Sequence, residues 1–305
     1  MNDQRSSEDP DELSLRVLDA LRTGHGLDRP GLPRVDGRVD LRGTRIGGGR
    51  LVDVLPGMDL ADVDFSGAEM SGLRLRGARL TNCLFGKAKL DGLEARGVVF
   101  KDCSFAGASL RGAQLSLPLD GQYSVYEDID FSRAVLTGAS CVDASFTRCS
   151  FLGVKLGALS FRGSDLTDCA FSGVLRKVVF WGNSLTGRTV PEPVMRNVDF
   201  SEAVLRDVEF RGIDLKDVVL PSGDPHVTVR HYHCVLSRVL DRTPVPGHPF
   251  TYGLRAYLAA ERQHAHPARD IGLWHRSSLG KTAEEQEFSV RLLRACEEEC
   301  GRSGQ

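Results

Sequence analysis

The sequence predicts an all-β solenoid, a chain wound into stacked, square-sectioned turns. Three observations carry that reading. Between Leu51 and Leu220 an apolar residue recurs every five positions, as at Leu60, Phe65, Met70, Leu75, Leu80 and Phe85. A smaller apolar residue stands two places before each, as at Met58, Val63, Ala68, Leu73, Ala78 and Cys83. Helices place apolar residues about 3.6 apart and strands about 2 apart, so a strict five fits neither. It does fit one short side of a coiled chain, with four sides closing a turn of about 20 residues.

Residues 20 apart should then stack at roughly the strand spacing of ~4.8 Å. Phe65, Phe85 and Phe105 fall on one such line, as do Leu60, Leu80 and Phe100. Phe131, Phe151 and Phe171 make a further column with the same spacing. Glycine recurs two places after the centre, at Gly67, Gly72, Gly77, Gly92, Gly97, Gly107 and Gly112, where a tight corner needs its backbone freedom.

These units resemble the pentapeptide-repeat family, whose motif is roughly A-(D/N)-L-x-x. The match is Ala-Glu-Met-Ser-Gly at 68–72, Ala-Arg-Leu-Thr-Asn at 78–82 and Ala-Ser-Leu-Arg-Gly at 108–112. The resemblance implies a right-handed quadrilateral β-helix. Departures from the motif put Arg74, Arg79 and Lys89 where the family has Asp or Asn.

Taken in order, residues 1–38 read as a disordered start, a capping helix and a linker. Asp9-Pro10-Asp11-Glu12 is a helix start, with acid against the helix dipole and proline in the first turn. The helix is expected over Asp11–Thr23, with Leu13, Val17, Leu18 and Leu21 on its apolar face and Gly24 as its stop. Its expected role is to cover the first turn; a free partner-binding helix is the alternative. The solenoid spans 39–220.

The beat slips at 116–122 and resumes one residue out of phase at Tyr126, Phe131, Leu136, Cys141, Phe146 and onward to Phe171, with inward partners running from Ile129 to Val174. One extra residue bulging near Pro118 would set Tyr126 and Phe146 after Phe105. A second interruption covers 182–193, rich in glycine and proline. Its residues Asn183, Arg188 and Glu192 form a candidate interaction loop, since recognition concentrates on loops of rigid scaffolds.

Residues 221–305 read as a C-terminal cap and helical module. Val227–Val229 would add a last strand, Tyr232–Leu240 a short helix and 243–250 a linker. Three helical patterns follow: Leu254, Tyr257 and Leu258; Ala268, Ile271, Leu273 and Trp274; then Phe288, Leu292, Leu293 and Cys296. The first two are loosely similar to a single helix pair of the tetratricopeptide kind. Capping the last turn is the expected role, and homodimerisation through these helices is the alternative.

Composition narrows the function. Formal net charge is −2, from 39 basic and 41 acidic residues, which gives no general pull toward nucleic acid or anionic membrane. There is no apolar run long enough for a transmembrane helix, and the polar start is unlike a signal peptide. Cys83, Cys103, Cys149 and Cys169 sit at small inward positions and Cys141 at a centre, which fits free, buried thiols in a reducing cytoplasm. His231, His233 and Cys234, with Cys296 and Cys300, are soft ligand types, but their spacing fits no standard zinc pattern, and a structural role is expected instead. No phosphate loop, nucleophile elbow or zinc-helix motif is present, so neither enzyme activity nor a cofactor is expected.

The expected function is therefore a non-enzymatic protein–protein interaction scaffold for an unidentified protein partner, with no direct nucleic-acid binding. The family resemblance implies an alternative: a DNA mimic that binds a type II topoisomerase such as gyrase and protects it from inhibitors. Charge opposes this, since residues 51–220 carry 19 basic and 22 acidic residues, a net of −3. Matching a duplex over a rod of ~43 Å would take roughly 25 negative charges. The acidic clusters Asp59, Asp62, Asp64 and Glu69, and Glu127, Asp128 and Asp130, remain as local candidates.

Overall fold

Rungs stack in parallel register through most of the chain. Leu60 lies beside Leu80, Leu80 beside Phe100, and Phe146 beside Leu166, each pair 20 residues apart. The computed structural model describes residues 10–23, 27, 31–47, 51–185 and 195–303. The rungs form one sheet of eleven strands and another of seven, while on the other sides successive rungs meet through single bridges such as Leu84 to Ser104 and Lys89 to Ser109. The result is a β-helix.

Its bore is solid. Phe65, Phe85 and Phe105 stack with ring centroids 5.2 and 4.8 Å apart and planes within 8° of parallel. Phe131, Phe151 and Phe171 continue the same column at 5.0 and 4.6 Å, and all six rings are buried. Each buried ring contributes roughly 1.5–3 kcal/mol over an exposed one. Many corners that lack glycine use short polar residues with left-handed backbone: Asp62, Asn82, Asp102, Asp128 and Asp168 have φ of 52–56°, while Lys87, Arg133 and Arg148 hold the same conformation elsewhere. Asp and Asn tolerate this region because their side chains bond the local backbone.

The first interruption is larger than one residue. Phe131, not Tyr126, stacks on Phe105, at 5.2 Å, while Tyr126 stacks on Phe100 at 5.1 Å and on Phe146 at 4.9 Å. The step from Phe105 to Phe131 is 26 residues against the usual 20, so six residues are inserted. They form a flap over the outer face. Leu119 lies 3.1 Å from where a Cβ on Gly97 would stand, and 3.4 Å from the same position on Gly77. The rung closes behind the flap through Ser124, whose amide donates to Ser116 Oγ.

Val174 is a second correction. It is 54% exposed rather than inward. One residue is missing from this rung, because Leu156 pairs with Leu175 only 19 positions on. Gly173 takes the inward place instead, in register with Ala203, and Val174 turns out beside Val204. Beyond it, Leu175 pairs with Leu205 at a step of 30, which puts ten inserted residues in the second interruption.

Both ends of the solenoid are covered. Helix α1 (Pro10–Thr23) buries Val17, Ala20 and Leu21 against the first rungs, with Leu13 and Leu18 packed at the margin. Leu55 donates its amide to the Leu21 carbonyl, and Arg45 donates to Ser14 Oγ. The expected cap Asp9 and stop Gly24 lie outside the described residues. The expected linker up to residue 38 already contains structure: Arg34–Val35 and Arg38–Asp40 form an antiparallel hairpin turning at Asp36-Gly37, both at positive φ. Val39 then pairs in parallel with Val63.

The C-terminal part has its own apolar cluster around Tyr232, Val235, Leu236, Val239, Leu258, Trp274, Leu293 and Cys296. It contains α2 (Tyr232–Arg242), α3 (Thr251–Gln263) and α4 (Ala283–Ser303). Residues 226–229 form a strand, but not as a further rung: they pair antiparallel with Gly272–His275. The expected helix over Ala268–Trp274 is that partner strand, so the chain has no helix pair here. Gly272 shows why. A Cβ there would meet the Trp274 ring, which folds back across it.

Candidate interaction surfaces

A bore filled by aromatic and aliphatic ladders leaves the outside of the rod for any encounter. The outer charges follow the rungs. Residues 20 apart face each other across the ladder, and many are opposite in sign: Arg79 with Asp59, Lys89 with Glu69 at 2.6 Å, Arg111 with Asp91, and Arg148 with Asp128 at 2.7 Å. Arg148 also reaches Glu127 at 2.6 Å, and Arg74 bridges toward Asp53 and Glu94. The Lys89 ammonium holds the Glu69 carboxyl below the usual range, and the Arg148 guanidinium does the same to Asp128.

The sequence-level acidic clusters are therefore largely occupied. Asp59 and Glu69 face cations, Asp62 accepts from Asn82, and Asp64 accepts from the Ser66 amide and lies near Arg42. In the second cluster Glu127 and Asp128 share Arg148, and Asp130 accepts from the Ser132 amide. Exposed pairs of this kind contribute little stability individually. Their consequence here is a surface mottled in charge.

Of the candidate loop, Asn183 is described and sits over the next rung, its Oδ1 3.7 Å from a Cβ position on Gly212. Arg188 and Glu192 lie outside the described residues. Beside the loop, Trp181 lies between two guanidiniums, Arg162 at 4.3 Å and Arg211 at 5.1 Å from the ring centroid. Sequence reading missed this stack because Trp181 follows the inward centre Phe180 and falls outside the apolar beat.

The C-terminal part is fixed to the last rungs by Arg269, which is 2% exposed. Its Nη1 donates to the Phe210 carbonyl at 3.2 Å, its Nε donates to the Ile271 carbonyl at 2.9 Å, and its Nη2 lies 3.5 Å from Glu261. Glu261 also accepts from Trp274 Nε1 at 2.5 Å and from the Tyr232 hydroxyl. Burial raises the Glu261 pKa, with Arg269 and these hydrogen bonds opposing it. Such a perturbed carboxylate can mark an active site. Here its hydrogen-bond and ion-pair partners Arg269, Trp274 and Tyr232 are buried groups that tie the module together, so it reads as a joint. A shallow groove of ≈ 400 Å³ between α3 and the start of α4 is lined by Phe250, Leu254, Leu279, Lys281 and Glu285.

The cysteines divide. Cys83, Cys103, Cys141, Cys149, Cys169 and Cys296 are free and buried. Cys234 and Cys300 are joined in a disulfide, with Cα atoms 6.0 Å apart, which corrects the expectation of a wholly reduced chain. That bond takes up two of the soft ligand types singled out in the sequence. The remaining ones are dispersed: His231 faces Asp270, and His233 bonds the His266 carbonyl. Among the described residues no group of three or more His, Cys, Asp or Glu is placed to hold a metal ion. Among them, too, no helix is long and apolar enough to cross a membrane.

The sequence profile of pentapeptide repeats matches eight copies, over residues 54–82, 83–117, 129–168 and 194–220. The solenoid belongs to the pentapeptide-repeat family. Pentapeptide-repeat folds are right-handed β-helices, and the stacked parallel sheets seen here agree with that architecture. Among solved structures, a trypsin-treated form of QnrB1, a plasmid-mediated fluoroquinolone resistance protein, is 18% identical. That alignment covers 56% of this chain and 82% of the other, with a TM-score of 0.36. A pentapeptide-repeat protein from the cyanobacterium Cyanothece 51142, Rfr23, is 14% identical over 47% of this chain and 70% of its own, with a TM-score of 0.18. One from the Arabidopsis thaliana thylakoid lumen is 20% identical over 55% and 70%, with a TM-score of 0.14. No curated protein matches the sequence.

Proposed function

We propose that this pentapeptide-repeat protein is a non-enzymatic protein–protein interaction scaffold. The observation that carries the reading is the filled bore combined with outer faces of regularly spaced, pre-positioned side chains. A rigid rod loses little conformational freedom on binding, which favours docking along its length. The flap at 117–122 and the C-terminal module vary an otherwise uniform surface, and they supply places where a partner can be told apart from others.

The topoisomerase-directed alternative requires a continuous negative face. The cross-rung pairs Arg79–Asp59, Lys89–Glu69 and Arg148–Asp128 weigh against one. The test is affinity capture from the native lysate, followed by direct titration of each captured protein, purified, against the intact chain. The scaffold reading expects at least one saturable complex whose formation needs no turnover of either component. Absence of any such complex at micromolar bait contradicts it. A gyrase supercoiling assay is expected to be unchanged by added protein; protection from an inhibitor would favour the alternative.

A further inference from the structure

We propose that one edge of the solenoid, where two of its sides meet around Arg133, Leu152, Lys155, Val174, Arg176 and Arg206, docks an acidic protein segment that also carries apolar side chains. This rests on the scaffold reading above and adds the chemistry of the partner.

The argument begins from charge pairing. Elsewhere on the rod cations are matched by carboxylates, and even where Arg76 stands in register with Arg96, Asp53 and Glu94 reach them. Here that matching stops. Arg176 stands in direct register with Arg206, cation beside cation at the rung spacing. Across the other side of the ladder, Arg176 faces Gly157, which offers no side chain. Lys155 faces Val135. Arg133 lays its stem over the next rung, with Cγ 3.8 Å from a Cβ position on Gly153. All four cations are exposed, and none has a carboxylate within ion-pair distance among the described residues. The field of Arg206 reaches inward far enough that, after burial itself, it is the next cause holding the His275 pKa below its usual range. Like charges held side by side at this distance disfavour the free protein and favour an anionic partner.

The second, independent observation is apolar. Leu152 and Val174 are 45% and 54% exposed; Val174 stands beside Lys155 and near Arg176 in the ladder, and Leu152 lies round the corner, its carbonyl accepting from the Arg133 amide. Val174 continues toward Val204, its register partner. The missing residue before Leu175 is what turns Val174 outward, two places from Arg176. Glu202 and Asp207 bound this stretch of strand at its two ends.

The occupant follows from these features. The strand through Val174 and Arg176 is paired on both sides, and beyond it the Leu205 amide donates to His226 Nε2, so a partner binds through its side chains rather than as an added strand. Aliphatic groups at the centre suit a peptide with leucine- or isoleucine-like anchors. They do not suit nucleic acid, because among the described residues no Trp, Tyr or Phe stands among the cations to stack on bases. A phosphate backbone would also leave Leu152 and Val174 uncovered.

The test uses the full chain and three fluorescein-labelled probes: an acidic peptide with leucine at every third position, the same peptide with serine for leucine, and a single-stranded DNA oligonucleotide. The expected result is saturable binding of the leucine peptide, weakened by added salt as screening sets in. The serine peptide and the DNA should bind at least tenfold more weakly. Arg176→Glu with Arg206→Glu should cost at least tenfold in affinity, and Leu152→Ser with Val174→Ser a similar amount. Unchanged circular dichroism and thermal midpoint establish that each variant is folded. Failure of the wild-type chain to bind the leucine peptide, indifference of binding to both double variants, or tighter binding of DNA would each overturn the proposal. Partners captured equally by wild type and the Arg176→Glu, Arg206→Glu variant would sink this surface and leave the scaffold reading standing. Capture of nothing by wild type would sink the scaffold reading itself.

Discussion

Replacing Arg269 with methionine should loosen the C-terminal module from the solenoid, and the size of the effect can be worked out. Methionine keeps most of the stem but removes three polar contacts: the donations to the Phe210 and Ile271 carbonyls and the approach to Glu261. Hydrogen bonds from a charged donor contribute about 1.5–3 kcal/mol each, and breaking a buried ion pair costs about 3–5 kcal/mol, mostly through the charge left behind. The Glu261 side chain keeps 18% of its exposure and retains its Trp274 and Tyr232 donors. The lower end therefore applies, a loss of about 3 kcal/mol for the module at neutral pH.

The pH dependence has a definite sign. Burial already raises the folded pKa of Glu261, and Arg269 is the largest opposing influence. Without Arg269 the folded pKa rises further. The folded state then binds more protons than the unfolded state across that window, so stability falls as pH rises through it. The deficit of the variant is largest above the raised pKa and shrinks on acidification. The assay is urea unfolding followed by tryptophan fluorescence at neutral and mildly acidic pH, with Glu261→Gln and the double variant completing a cycle. A deficit under about 1 kcal/mol, or one that does not change with pH, would refute the reasoning that Arg269 holds this carboxylate.

Two further outcomes are expected. Deleting residues 117–122 restores a 20-residue step from Phe105 to Phe131, so the variant should fold with its β spectrum intact. It should lose only about 1–2 kcal/mol, from the cover that Leu119 gives Gly77 and Gly97; an unfolded variant would mean that the flap is part of the rung. Thiol titration of the unfolded protein without reductant should count six free cysteines, and Cys234→Ser, kept oxidant-free, should raise the count to seven and lower stability by about 4 kcal/mol on the chain-entropy account of a 66-residue separation. Eight titratable thiols in the wild type would contradict the bridge.

The architecture was legible because a five-residue beat survives in the sequence whatever the partners are. The columns through Phe65, Phe85 and Phe105 follow from spacing alone. The size of the first insertion does not, for an arithmetic reason: one extra residue and six extra residues shift a five-residue beat by the same amount. The packing of Phe131 on Phe105 and of Tyr126 on Phe100 separates them. Val174 was misread because a dropped residue moves the inward place to Gly173, and glycine carries no hydrophobic signal. Ile271, Leu273 and Trp274 suit either period over so short a run. The strand Val227–Val229, distant in sequence, decides between them. The candidate surface was least legible of all. Arg176 and Arg206 are 30 residues apart, and neither is remarkable until an inserted loop of unknown size is subtracted and the two are seen side by side.

The central claim, a solid rod whose rungs run unbroken past the flap, is tested most directly by solution NMR with selectively labelled phenylalanine and tyrosine. The account predicts ring-to-ring contacts between Phe105 and Phe131 and between Phe100 and Tyr126, at centroid separations of 5.2 and 5.1 Å. Contacts of Phe105 with Tyr126 and Phe85 but none with Phe131 would contradict it, and with it the register that places every surface residue discussed above beyond residue 122.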